Sequence, residues 1–335
     1  TPRMAADVSN AGALGSIAVG ASRPDQAVTS IAELRALTSR AFNVNVFAHA
    51  PAVSDPDREQ AWLQAMKPLF ASFGAEPPER LTAIYPSFNE DDDMLGVLVD
   101  QAPPVVSFHF GLPTVDRVVA LRAAGCVLIA TVTSLDEALA AREAGMDALV
   151  AQGSEAGGHR GVFDPAVADA QLGTMALTRL LVVNCGLPVI AAGGIMDGAG
   201  VRAALELGAV AAQLGTAFIC CPESAADAPY RAALKGDAGK HTRMTSAISG
   251  RPARCLSNKF TQWGETNPAA IPDYPTAYDA GKALNAVARK AGEFGFGAQW
   301  AGQGAALVRE LSASQLIEAL ISEAGRDQTY ASVNR

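Results

Sequence analysis

The residue best suited by type and setting to do chemistry is His159, in the run Ala151-Gln-Gly-Ser-Glu-Ala-Gly-Gly-His-Arg-Gly161. An imidazole titrates near neutrality and suits proton abstraction from carbon beside an activating group. An arbitrary histidine is better read as a surface or core residue. Here the flanking glycines and the place after a strand end favour a working group. Two further glycine motifs follow, Ala191-Ala-Gly-Gly-Ile195 and Gln213-Leu-Gly-Thr-Ala-Phe218. Glycine lets a backbone approach an anion closely, and the N–H groups of a turn before a helix bind phosphate. Either motif alone could simply turn the chain. The pair, on successive strand ends, predicts a phosphate site built from Gly193, Gly194, Gly215 and the Thr216 hydroxyl.

These motifs need a scaffold that places strand ends side by side. Apolar runs at 14–20, 43–47, 105–110, 127–132, 148–152, 188–192 and 209–214 read as buried parallel strands. Amphipathic segments separate them. Three helices are expected to close at Gly125, Gly145 and Gly208, each followed at once by a strand. Successive βα units of this kind specify an α/β fold, a (β/α)8 TIM barrel with right-handed crossovers. Only seven strands are counted. Residues 1–11 read as a helix, so the first strand is expected to be missing from the recorded chain; an open seven-stranded sheet is the alternative.

Two stretches depart from the alternation. Residues 51–101 are rich in Pro and Asp, and the acidic run 89–93 reads as a solvated helix start. Residues 220–293 carry weak strand signals with many Pro, Gly and Asn. The expected organisation is a barrel over 1–219, an inserted capping domain over 220–293 and a return to the barrel over 294–335.

Composition narrows the partners. A net charge of −8 with no basic stripe argues against nucleic acid. The longest apolar stretch, 180–196, is interrupted by Asn184 and Pro188 and falls short of a membrane span, and no signal segment opens the chain. Five cysteines without C-x-x-C spacing suit a reducing cytosol, so a cytoplasmic location is expected. No histidines or carboxylates are spaced as metal ligands, so no metal is expected. A homodimer is the base-rate expectation.

Taken together, the 151–161 loop, Ala-Ala-Gly-Gly-Ile and Gln-x-Gly-Thr-Ala-Phe resemble the nitronate monooxygenase (2-nitropropane dioxygenase) family. The likeness extends through Ser9-Asn-Ala-Gly-Ala-Leu-Gly15, Asn43-Val-Asn-Val-Phe47, Ser107-Phe-His-Phe-Gly-Leu-Pro113 and Trp300-Ala-Gly-Gln303. The resemblance implies FMN, with its phosphate at 193–194 and 215–216 and with Gly157 and Gly158 beside it. Asn45, Thr131, Gln152, Gln213, Trp300, Gly302 and Gln303 would complete the cofactor site. It implies His159 as the catalytic base, His109 as a pocket residue, and oxidation of nitronates such as propionate 3-nitronate by molecular oxygen. The family's opening strand, ending in Ala-Pro-Met against the flavin, is absent here, which leaves part of the ring contact unassigned.

An NAD(P)H:quinone reductase or an enoyl-thioester reductase on the same barrel is the competing reading. No second dinucleotide fingerprint supports it, and Ser-Phe-His-Phe-Gly favours the monooxygenase. A flavin-free aldolase or isomerase would need a lysine or paired carboxylates at strand ends, and none is placed so. A non-catalytic binding protein is the last choice. His49 is expected to fill the rim, and His241 to lie in a solvated loop.

Overall fold

A computed structural model describes residues 1–267 and 269–325. Its strands are β1 (Gly15–Ala18), β2 (Phe42–Phe47), β3 (Val105–His109), β4 (Val127–Val132), β5 (Ala148–Gln152), β6 (Gly158–His159), β7 (Val189–Ala192), β8 (Ala211–Gln213), β9 (Thr242–Thr245) and β10 (Ala253–Leu256). Each of the seven apolar runs holds one strand of a curled parallel sheet, in the order β1-β2-β3-β4-β5-β7-β8. This is the α/β barrel architecture predicted, with β1 and β8 at the two ends of the sheet among the described residues. The predicted N-terminal helix is Pro2–Asn10, capped by the Thr1 hydroxyl, which accepts from the Met4 N–H. It packs with Leu316 and Leu320 of the helix Ala313–Ala324 through Met4 and Val8.

Strand side chains alternate, and the two faces of this sheet have different jobs. Val44, Val46, Val106, Phe108, Leu128, Ala130, Leu149 and Ala151 are buried against Ile31, Leu34, Leu98, Leu121 and Leu181 of the outer helices. The intervening positions point the other way. There Asn43, Asn45 and Ser107 put polar groups inside the barrel, and His109, Thr131 and Gln152 carry them to the C-terminal ends of the strands. That is where barrels of this type build their sites.

The helix-closing glycines behave as predicted. Gly125, Gly145 and Gly208 have φ of 87°, 85° and 96°. The residue after each donates back into its helix: Cys126 to Leu121, Met146 to Ala141 and Ala209 to Ala204. These left-handed positions favour glycine because a Cβ would clash with the following carbonyl. In the acidic run, Asp91 caps the helix Asp92–Gln101, as a helix start should.

The irregular regions share a second core. Trp62, Leu63, Met66 and Phe70 of the helix Pro56–Ala71 pack with Phe260, Ala280, Leu284 and Phe296. A three-stranded antiparallel sheet, β6-β10-β9, ties this cap to the barrel. Its register pairs Ala253 with His159.

Candidate active site

The polar inner face and the cap meet at His159. Its backbone is held on both sides: the carbonyl accepts from Gln152 Nε2 at 2.9 Å and from His109 Nε2 at 3.1 Å. A carbonyl can only accept, so His109 carries its proton on Nε2. Gln152 also accepts from the Gly161 N–H at 2.7 Å, and the next residue, Arg160, donates its N–H to Pro252 at 2.8 Å. Arg160 itself forms a two-pronged ion pair with Asp169, at 2.7 and 3.0 Å. The loop is therefore pinned by strand, cap and ion pair.

The imidazole of His159 lies among aromatic rings, with Trp300, Phe110, Tyr274 and Tyr278 at centroid distances of 4.9, 5.4, 5.4 and 6.2 Å. Among the described residues its side-chain hydrogen-bond partner is Ser249, whose hydroxyl oxygen is 2.8 Å from Nε2. Burial, aided by the neighbouring His109 and the charge of Arg251, pushes its pKa down to about 3. Burial likewise takes His109 and His49 down to about 4. All three histidines are neutral at pH 7. Burial raises the Tyr274 and Tyr278 phenols, which stay protonated.

Surroundings of this kind suit a small, partly apolar molecule packed against a neutral imidazole.

The glycine motifs lie beside it. Gly193 and Gly194 end β7 with φ of 130° and 68°, and Gly215 and Thr216 follow the neighbouring strand β8. A Cβ at Gly215 would meet nothing within 4 Å, so that turn faces open space. The segment 300–304 stitches the two halves together. A Cβ on Gly157 would come within 2.5 Å of the Gly302 nitrogen, and one on Gly304 within 2.8 Å of the Gly194 oxygen. The Gly302 N–H donates to the Thr216 hydroxyl at 3.0 Å, and Gln303 N–H to the Glu155 carbonyl at 2.9 Å.

The sequence-predicted residues fall into two groups. His109, Thr131, Gln152 and His159 come together under Gly161, whose Cβ would lie 2.9 Å from Thr131 Cγ2 and 3.0 Å from His109 Cε1. Gly157, Gly193, Gly194, Gly215, Thr216 and Gly302 form the glycine cradle, with Gly158 and Trp300 between the groups. Asn45 accepts from Ser107 at 2.8 Å on the inner face of β2, and Gln213 ends β8. Gln303 also borders a separate cavity of about 810 Å³ with Lys240, His241 and Arg243. His49 is buried edge-on to Phe110 and Tyr274, and His241 is exposed, as expected.

Sequence reading missed Ser249, Arg251, Tyr274, Tyr278, Tyr85 and Lys282. Lys282 Nζ stands over the rings of Tyr85 and Tyr278, at 4.7 and 5.2 Å. The one available signal was the helical spacing of Tyr274, Tyr278 and Lys282, four residues apart in an otherwise irregular region.

A family model described as "Nitronate monooxygenase" matches residues 1–323. A nitronate monooxygenase of Paraburkholderia phytofirmans is 56% identical over 324 residues, covering 96% of this chain and 88% of that protein. One of Pseudomonas aeruginosa is 55% identical, covering 96% and 92%. The solved nitroalkane oxidase of Streptomyces ansochromogenes superposes with a TM-score of 0.89 at 39% identity, covering 96% of this chain and 92% of that one.

Proposed function

This chain belongs to the nitronate monooxygenase family, and on that footing we propose that it uses FMN to oxidise alkyl nitronates with molecular oxygen, giving a carbonyl compound and nitrite or nitrate. The observation that carries the reading is a neutral, backbone-pinned His159 in an aromatic pocket beside two glycine turns. The residues present fit FMN. In this reading the N–H groups around Gly193 and Gly194, at φ of 130° and 68°, would bind the phosphate, and the adjoining Gly215 turn is open. Asn45 and Gln213 offer amides on the inner face of the strands, where a flavin ring would make its polar contacts, with Gln152 holding the adjoining loop.

Bound there, the flavin would supply the electron acceptor that nitronate oxidation requires. The chain's own residues do the rest. His159 takes a proton from the carbon next to the nitro group when the substrate arrives as a neutral nitroalkane, and orients a nitronate that arrives ionised. Trp300, Phe110, Tyr274 and Tyr278 exclude water around it. His109 and Gln152 hold the His159 backbone so that the ring meets the substrate in one orientation. The segment 220–293, together with the helix Pro56–Ala71, caps the pocket.

Anaerobic mixing with propionate 3-nitronate, and separately with NADH and NADPH, tests the reading. Bleaching of the oxidised flavin band by the nitronate alone, with oxygen uptake when air returns, is the expected outcome. Bleaching by a nicotinamide while the nitronate stays inert would make this a reductase on the same barrel.

A further inference from the structure

Arg251 is a buried cation without a carboxylate. Its residue is 3% exposed, and among the described residues it forms no ion pair. One guanidinium nitrogen donates to the Val162 and Phe163 carbonyls at 2.8 and 3.0 Å, while Nε is buried with no hydrogen-bond partner. The guanidinium lies 4.5 Å from the centre of the Phe110 ring. On other sides of that ring stand His109, His159 and Tyr274, at 4.5, 5.4 and 5.2 Å, with His49 at 6.2 Å.

Desolvating a guanidinium is costly, and pairing normally offsets it. Glu137 and Asp164 act on the Arg251 charge from a distance, but their oxygens are hydrogen-bonded to other groups. Glu137 accepts from Thr133 and from the Phe163 N–H, and Asp164 accepts from the Ala166 N–H. Its backbone is fixed as well. Gly250, at φ 93°, lies so close to Pro272 and Tyr274 that a Cβ would meet the Pro272 oxygen at 2.6 Å. With the three histidines and Tyr274 all uncharged, Arg251 against Phe110 and Lys282 against Tyr278 are the positive charges on the aromatic rings around His159.

We propose that Arg251 is a specificity-determining residue: its charge, unpaired with any carboxylate and lying against the Phe110 ring, favours the anionic nitronate over the neutral nitroalkane. The inference rests on the functional reading above and deepens it. A cation in low-dielectric surroundings stabilises a nearby anion and gives nothing comparable to an uncharged molecule. The guanidinium lies against the Phe110 ring and its charge acts on His49, His109 and His159, so Arg251 acts through space on a substrate that it need not touch.

The test is the ratio of kcat/KM for a preformed nitronate to kcat/KM for its parent nitroalkane, at matched flavin content. Arg251→Met is expected to lower the nitronate value about tenfold or more and the nitroalkane value less than about threefold, with Arg251→Lys recovering most of the ratio. Equal losses on both substrates, or none, would overturn the proposal and leave Arg251 as a pin for the 162–163 backbone. Should Arg251→Met fail to fold, titration of the wild-type holoenzyme with nitrate, a planar oxyanion like the nitronate head, decides the matter. A saturable change in the flavin band that nitronate competes away supports the charge site. No change up to about 100 mM nitrate, weaker than any specific site, sinks it. If the wild type oxidises neither substrate, the functional reading fails while the nitrate titration, repeated on Lys282→Met to remove the other cation, still reports on Arg251.

Discussion

The Nε2 atom of His159 lies 2.8 Å from the hydroxyl oxygen of Ser249, a residue with no exposure to solvent. Ser249 has a single proton, and the Arg251 carbonyl at 3.3 Å can accept it. Its oxygen is then left to accept from Nε2–H, and Nδ1 becomes the nitrogen with the free lone pair. A serine ninety residues away thus sets which side of the imidazole can take a proton.

Replacing Ser249 by Ala should therefore slow proton abstraction more than oxidation of a ready-made anion. We expect kcat/KM for a neutral nitroalkane to fall about tenfold or more, with the nitronate value within about threefold of wild type. Steady-state oxygen uptake with both substrates measures this. Parallel losses would mean that Ser249 only supports the fold.

His159→Gln removes the base itself. Turnover of a neutral nitroalkane should drop about a hundredfold or more, the usual worth of a positioned general base. Because the imidazole stays neutral down to about 3, nitronate oxidation by the wild type should show no acid limb from His159 above about pH 5, where only substrate protonation would act. An enzyme-derived ionisation near 6.5 in that profile would contradict the burial described here.

The same burial makes the fold acid-sensitive. His49, His109 and His159 bind protons near 6.5 when unfolded but only at about 4, 4 and 3 when folded. Between those values the unfolded chain binds more protons, so stability is full above about pH 6.5 and falls as the pH drops toward 4. The loss is on the order of 1–2 kcal/mol per histidine by about pH 5. Denaturant midpoints at several pH values read it directly, and His49→Phe should flatten the dependence.

Two glycines separate cofactor binding from folding. Gly215→Val places a side chain in open space, so the flavin-free protein should keep its Tm while flavin affinity falls about tenfold. Gly157→Ala instead drives a Cβ into the Ala301–Gly302 backbone and should destabilise the protein with or without flavin. Unchanged flavin retention in Gly215→Val would remove the phosphate assignment from that turn.

Much of the barrel was legible because its signals are local. A glycine closing a helix ahead of a strand, as at Gly125, Gly145 and Gly208, is written within six residues. His159 was legible for the same reason, since its glycines flank it. Ser249, Arg251 and Tyr274 were not. They reach the pocket through the pairing of β6 with β10 and through the packing of the helix Thr276–Lys290 on Pro56–Ala71. The two segments of β6 and β10 are about ninety residues apart, and β6 is two residues long, too short to show a period. The role of Trp62 and Phe70 in the cap was hidden likewise, because a Pro-rich stretch gives no hint of the distant surface that it covers.

The pairing of Ala253 with His159, continued by the Arg160 N–H to Pro252, also limits how this architecture can be recombined. The cap is not a detachable module. A chimera that exchanged only 220–293 would import a foreign edge for the loop on which the imidazole is mounted, and the loop's own register would have to be rewritten with it. Grafts that keep 158–160 and 252–254 from one parent preserve that seam. The unit to exchange is the two paired strands together, not the segment that contains one of them.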